Sequence, residues 1–261
     1  MRRRGGRSLL VFVCALVAAL PSLAQEIPPV QRVEVELGDA TPAVDVYRPA
    51  GQPLGLAIVA HGFARSRVRH ADLGRALAAY GVVAVIPDLP HVVNLWANGR
   101  ALVELVGKVE RGELTDLRLP RERIVLVGTS AGGLASVLAA AELPGLAGWV
   151  GLDPVDRTGT GLDAAGRVAI PAVVFLAEPS LCNLGSSGEA IAAALPARLR
   201  TVTVTGASHC DFEDPTNALC EAACGRSSPD VRELIRAQIV ATVRELLWRP
   251  GEASRARLAL P

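Results

Sequence analysis

The stretch Ile124-Val125-Leu126-Val127-Gly128-Thr129-Ser130-Ala131-Gly132-Gly133 decides how this chain is read. Its first four residues are an apolar run suited to a strand buried on both faces, and Leu134 to Ala140 after it has the small and apolar residues of a packed helix. Between the two, Gly128-x-Ser130-x-Gly132 has the spacing of a nucleophile elbow. In such an elbow the serine occupies a sharp strand-to-helix turn, and glycine is needed two residues to either side because a Cβ there would strike neighbouring backbone. The pentapeptide alone says little in a chain of 25 glycines; the flanking strand and helix give it meaning.

On either side of the elbow, Leu56 to Ala60, Val82 to Ile86, Trp149 to Leu152, Ala172 to Leu176 and Leu199 to Val204 are further short, mostly apolar runs, predicted as doubly buried strands. Gln31 to Glu36 and Ala43 to Tyr47 alternate instead, which predicts an antiparallel pair with one wet face. Helices are predicted over Arg69 to Tyr80, Asn94 to Val109 and Asp230 to Leu247. Strands alternating with helices predict an α/β fold, a mainly parallel sheet covered on both sides. The interval Asp153 to Ile170 is short and rich in Gly, Asp and Thr, so it leaves no room for a sizeable cap domain. No internal repeats are present, and the tail Ala253 to Pro261 carries no pattern.

A serine nucleophile needs a base and a group that stabilises the negative oxygen of a tetrahedral intermediate. Of four histidines, His61 ends an early strand, His70 lies on a helix and His91 follows Pro90 in a loop. Only His209 follows the last predicted strand, where the chain order Ser, acid, His places the base. Two acids end strands between Ser130 and His209: Asp153 and, one strand later, Glu178. Asp153 is favoured because it ends its strand without a spacer and has the shorter side chain. Asp156 reads as a helper or a surface charge, and Asp211 as a residue that orients the His209 loop. The oxyanion donors are expected to be the backbone N–H groups of Ala131, at a helix N-terminus, and Phe63, in the loop Ala60-His61-Gly62-Phe63-Ala64.

Taken together these residues resemble the α/β-hydrolase superfamily, in its carboxylesterase branch of chlorophyllase-like, dienelactone hydrolase-like and cutinase-like enzymes. His-Gly-Phe at 61 to 63 resembles the oxyanion loop of that branch, G-T-S-A-G-G at 128 to 133 its elbow, and Leu152-Asp153-Pro154-Val155 the Asp-Pro-Val segment of chlorophyllase-like members. In those members the acid follows the strand after the elbow, which implies Asp153. Cutinase-like members put it one strand later, where this chain has Glu178.

The first 24 residues read as a secretory signal: Arg2, Arg3, Arg4 and Arg7, an apolar run from Leu9 to Leu20, and Ser22-Leu23-Ala24 as a cleavage site. Residues 25–261 then form one hydrolase domain, secreted or periplasmic, with no later run long enough to span a membrane. Without the leader's four arginines the 27 basic residues become 23 against 26 acidic ones, with the arginines scattered and Lys108 the only lysine, so no nucleic-acid partner is indicated. Four cysteines follow the leader, Cys182, Cys210, Cys220 and Cys224. An even number in an exported chain predicts two disulfides in one of three pairings; their spacing matches no firm zinc-ligand pattern.

The expectation is an exported serine hydrolase of carboxylic esters, needing no cofactor or metal, with catalytic Ser130, His209 and Asp153, oxyanion donors Phe63 and Ala131, and Phe63 also lining the substrate cleft. The substrate is a small-molecule or polymeric ester. Trp96 is either a second cleft residue or core. A peptidase or amidase on the same residues, or a fold that binds without catalysis, are the alternatives.

Overall fold

The computed structural model describes residues 28–248 except 115 and 117. The leader and the Ala253 to Pro261 tail therefore lie outside the described residues. Eight strands form one sheet in the order β1-β2-β4-β3-β5-β6-β7-β8. They are β1 (Gln31–Glu34), β2 (Ala43–Tyr47), β3 (Gly55–Ala60), β4 (Val82–Pro87), β5 (Ile124–Thr129), β6 (Gly148–Leu152), β7 (Ala172–Leu176) and β8 (Arg198–Thr203). Pairing is antiparallel for β1 with β2 and β2 with β4, and parallel from β4 through β8.

The α-helices of the described residues are α1 (Ala71–Ala79), α2 (Leu95–Arg111), α3 (Ala131–Glu142), α4 (Thr160–Ala165), α5 (Gly188–Ala194), α6 (Ala218–Cys224) and α7 (Pro229–Leu247). Successive strand residues face opposite sides, so the sheet divides the core into two layers. Leu56, Ile58, Leu126 and Trp149 pack under α2 to α5, while Ala57, Val59, Val127 and Leu152 pack under α1 and α7. Every residue of β3, β4, β5, β6 and β7 is buried, which is why those runs do not alternate.

Three expectations need correction. β8 is not doubly buried: its residues are exposed or half-buried, because it is the outermost strand and its polar residues face out, as where Arg200 meets Glu245 at 2.7 Å. β2 has no wet face: Val44 and Val46 pack into the α2 to α5 layer, Tyr47 packs on α1 beside Gly74, and Asp45 is buried and paired with Arg32 at 2.7 Å and Arg67 at 3.2 Å. The helix predicted from Arg69 begins at Ala71, the preceding Arg67–His70 being a 3-10 turn. The Asp153 to Ile170 interval holds only the six-residue α4, so it supplies no cap domain among the described residues. Among the described residues no helix is long and apolar enough to cross a membrane.

Candidate active site

β5 delivers Ser130 at its carboxyl end, with φ +55° and ψ −120° at the start of α3. The two glycines of the elbow are sterically required. A Cβ on Gly128 would stand 2.2 Å from Ser136 Oγ and 2.3 Å from the Gly132 carbonyl oxygen, and one on Gly132 would stand 2.4 Å from the Ala60 carbonyl oxygen. The turn is fastened to the next strand: Ser130 N–H donates to Leu152 O at 3.0 Å, and Val155 N–H donates to Ser130 O at 3.2 Å. The elbow and the end of β6 are thus one hydrogen-bonded unit.

Asp153 ends β6 in a left-handed conformation, φ +44°, with its side chain fully buried. Its Oδ2 lies 2.6 Å from His209 Nδ1, and His209 Nε2 lies 2.9 Å from Ser130 Oγ. A carboxylate can only accept, so Nδ1 carries the proton and Nε2 presents its lone pair to the hydroxyl. The three residues form one chain of hydrogen bonds across a sequence span of 79 residues.

Glu178, the other acid, does not meet the ring. Its Oε1 accepts from Gly206 N–H at 2.8 Å, and its own N–H donates to Ala207 O at 3.1 Å, so it ties down the segment before His209. Asp211, buried, accepts from Ser208 N–H at 2.8 Å through one oxygen and from Ser227 Oγ and Ser228 N–H at 2.6 and 2.8 Å through the other, which secures the 3-10 turn His209–Phe212. Asp156 is a loop organiser, accepting from the N–H groups of Gly159, Gly161 and Leu162 at 3.0, 2.8 and 3.0 Å.

Asn183 was not singled out from sequence, where Cys182-Asn183-Leu184 carries no motif. It is fully buried, its Nδ2 donating to Asp153 Oδ2 at 3.1 Å and to Glu178 O at 2.9 Å. Ala177 N–H adds a third donor to the carboxylate, at 3.1 Å to Oδ1. Asp153 and His209 are therefore held by neighbours from the ends of two strands, β7 and β8.

Phe63 and Ala131 border the same cleft as Ser130. Neither N–H has a backbone acceptor among the described residues. Gly62 sits close behind, where a Cβ would meet the Ser130 Cβ at 3.3 Å. His61 is buried against this loop, Nδ1 donating to Gly62 O at 2.9 Å while Nε2 accepts from Leu89 N–H at 2.8 Å, and burial lowers its pKa. Both nitrogens are used in the neutral ring, which makes it a strut rather than a base. His70 is completely buried and its pKa is lowered by that burial to about 3.

The cleft holds about 790 Å³ and is walled largely by apolar side chains, among them Phe63, Val92, Val93, Val155, Leu181 and Leu219. Trp96 is neither core nor lining: it is 45% exposed, and its neighbour Leu95 is the residue of that turn that borders the cleft. The four cysteines form two disulfides, Cys182–Cys224 and Cys210–Cys220, so their sulfurs are committed to each other although three of them cluster within 4.8 Å. Cys210–Cys220 anchors the residue directly after His209.

No protein-family model matches the chain, and no curated protein matches it by sequence. Solved structures do. Dienelactone hydrolase from Anabaena variabilis superposes with a TM-score of 0.66 at 19% identity, over 83% of this chain and 97% of that one. DcsB in complex with its substrate analogue gives 0.66 at 14%, over 84% and 99%, and an arylesterase gives 0.61 at 14%, over 85% of each. Sheet order, elbow and neighbours agree: this chain has the α/β-hydrolase fold.

Proposed function

We propose that this protein is an exported serine hydrolase of carboxylic esters that works through an acyl-enzyme without a cofactor. The observation that carries the reading is His209 bridging Ser130 Oγ at 2.9 Å and Asp153 Oδ2 at 2.6 Å. Ser130 Oγ attacks the ester carbonyl carbon while Nε2 of His209 takes its proton, and the buried Asp153 stabilises the resulting imidazolium. The new negative oxygen accepts from the N–H groups of Phe63 and Ala131, the latter at the positive end of the twelve-residue α3. Collapse expels the alcohol, which takes the proton back from Nε2. Water then attacks the acyl-enzyme with His209 again as base, releasing the acid and restoring Ser130.

An uncapped cleft with apolar walls favours short or medium acyl esters, or bulky esters that reach in from outside, over long chains needing a buried tunnel. The leader-like first 24 residues and two disulfides support export to an oxidising compartment. Hydrolysis of p-nitrophenyl acetate and butyrate by the mature protein tests the reading, with Ser130→Ala as control. The variant should lose all but a trace of activity and escape labelling by a fluorophosphonate; equal rates for the two proteins would remove the nucleophile.

A further inference from the structure

The turn Gly62-Phe63-Ala64-Arg65 carries one of the two N–H groups assigned to the oxyanion, and its backbone is strained. Ala64 stands at φ +53°, in the left-handed region that favours glycine, and Arg65 N–H closes the turn onto Gly62 O at 3.3 Å. A non-glycine residue keeps such a conformation only where its surroundings over-determine it. The adjacent side chain supplies that constraint. Arg65 Nε donates to Glu213 Oε1 at 2.7 Å, and Nη2 donates to Glu213 Oε2 at 2.5 Å and to Asn217 Oδ1 at 3.1 Å. The Arg65 side chain is 13% exposed and that of Glu213 7%, so solvent competes little for this two-pronged contact, whose direction is fixed by the planar guanidinium.

The far end of the contact belongs to the base. Glu213 lies four residues after His209, and its N–H donates to Cys210 O at 3.2 Å. Asn217 caps α6 by accepting from Cys220 N–H at 3.1 Å, and Cys220 is bonded to Cys210. The other flank of the turn is held by His61, through Gly62 O and Leu89 N–H.

We propose that the Arg65–Glu213 pair is a positioning device that holds the Phe63 N–H in register with the loop carrying His209. Both side chains border the cleft, but Arg65 spends its guanidinium on Glu213 and Asn217 and neither side chain is hydrogen-bonded to Ser130 or His209; the pair acts through the backbone of the turn. This rests on the esterase reading above. An oxyanion donor bonds the tetrahedral oxygen more strongly than the ground-state carbonyl, so its displacement is felt in kcat and not in KM.

The test is steady-state hydrolysis of p-nitrophenyl butyrate by the mature protein and by its Arg65→Ala, Arg65→Lys and Glu213→Gln variants. Removing a whole oxyanion donor costs about 10²- to 10³-fold, so misplacing one in Arg65→Ala should lower kcat about 30-fold, with KM within about twofold. Millimolar guanidinium should restore part of that loss in Arg65→Ala and none in Glu213→Gln. Affinity for phenylboronic acid, a tetrahedral mimic, should fall in step with kcat, while inhibition by butyrate stays unchanged. If Arg65→Ala does not fold, the same split in the isosteric Glu213→Gln carries the test. A kcat close to wild type in folded variants, or a loss shared by kcat and KM without guanidinium rescue, overturns the proposal. An inactive wild type overturns the esterase reading together with it, whereas an active wild type with unaffected variants removes the positioning role alone.

Discussion

Asn183 Nδ2 lies 3.1 Å from Oδ2 of Asp153, the same oxygen that accepts from His209 at 2.6 Å. Both side chains are fully buried, and Asn183 Oδ1 in turn accepts from the N–H groups of Ser180 and Ser186 at 2.8 and 3.1 Å. The carboxylate is thus held from behind by a residue that is itself locked in place. Asn183→Ala should destabilise the fold by about 1–3 kcal/mol, the cost of leaving buried polar groups without partners. Urea denaturation measures this, and a difference under 0.5 kcal/mol, a rough floor for such an effect, would contradict it.

The acid is separable from its alternative by kinetics. Asp153→Asn should lower kcat about ten-thousandfold, because the amide no longer holds the imidazole with its proton on Nδ1. Glu178→Gln keeps an oxygen for Gly206 N–H and should stay within a few fold of wild type. The reverse ranking would assign the role to Glu178.

The disulfides should matter to both stability and rate. Cys182–Cys224 closes 42 residues and Cys210–Cys220 closes 10, and loss of a native disulfide in small exported domains costs about 2–5 kcal/mol. Reductant should lower the melting temperature, and Cys210→Ser with Cys220→Ser should also lower kcat by loosening the residue next to His209. Mass spectrometry must first confirm both bonds. Unchanged melting after verified reduction would refute the prediction.

Stability should fall in mild acid. Burial depresses the pKa of His61, and of His70 to about 3, below the ordinary histidine value of 6.5. Between those values the unfolded chain binds protons that the native state refuses. The stability is therefore complete above pH 6.5 and declines as pH falls, by up to about 1.4 kcal/mol per unit for each such group. His70→Leu should flatten the slope between pH 6.5 and 4.5, because among the described residues neither His70 ring nitrogen has a hydrogen-bond partner that the change would sacrifice. For Asp45, burial pushes the pKa up, but the hydrogen bonds from Arg32 and the charge of the adjacent Arg67 outweigh it, and its contribution is lost only as pH falls below its ordinary value of 3.8. Chemical denaturation at pH 8, 6, 5 and 4.5 samples the histidine window and stays above that of Asp45; equal slopes in wild type and His70→Leu would exclude His70 as a cause.

Elements with a local cause are legible in the order of the amino acids. A doubly buried strand, a turn that tolerates no Cβ at Gly128 or Gly132, and a small-residue helix all follow from neighbouring residues, and β3, β4, β5, β6 and β7 announce themselves by apolar runs for the same reason. The short α5 and α6 have too few residues for a helical period; the burial of β2 depends on what packs over its faces, and the exposure of β8 on its place at the sheet edge. At the candidate site, Ser130 and the order of acid and base could be read from the chain. Between the two acids the chain favours Asp153 without excluding Glu178, because both end adjacent strands and only the path of the loops separates their surroundings; Asp153 is the one that faces His209. Asn183 against Asp153, 30 residues apart, and Arg65 against Glu213, 148 apart, belong wholly to the tertiary structure. Hydrogen bonds between distant residues leave no period or spacing in a sequence; they exist only once the folded sheet has brought its strand ends together.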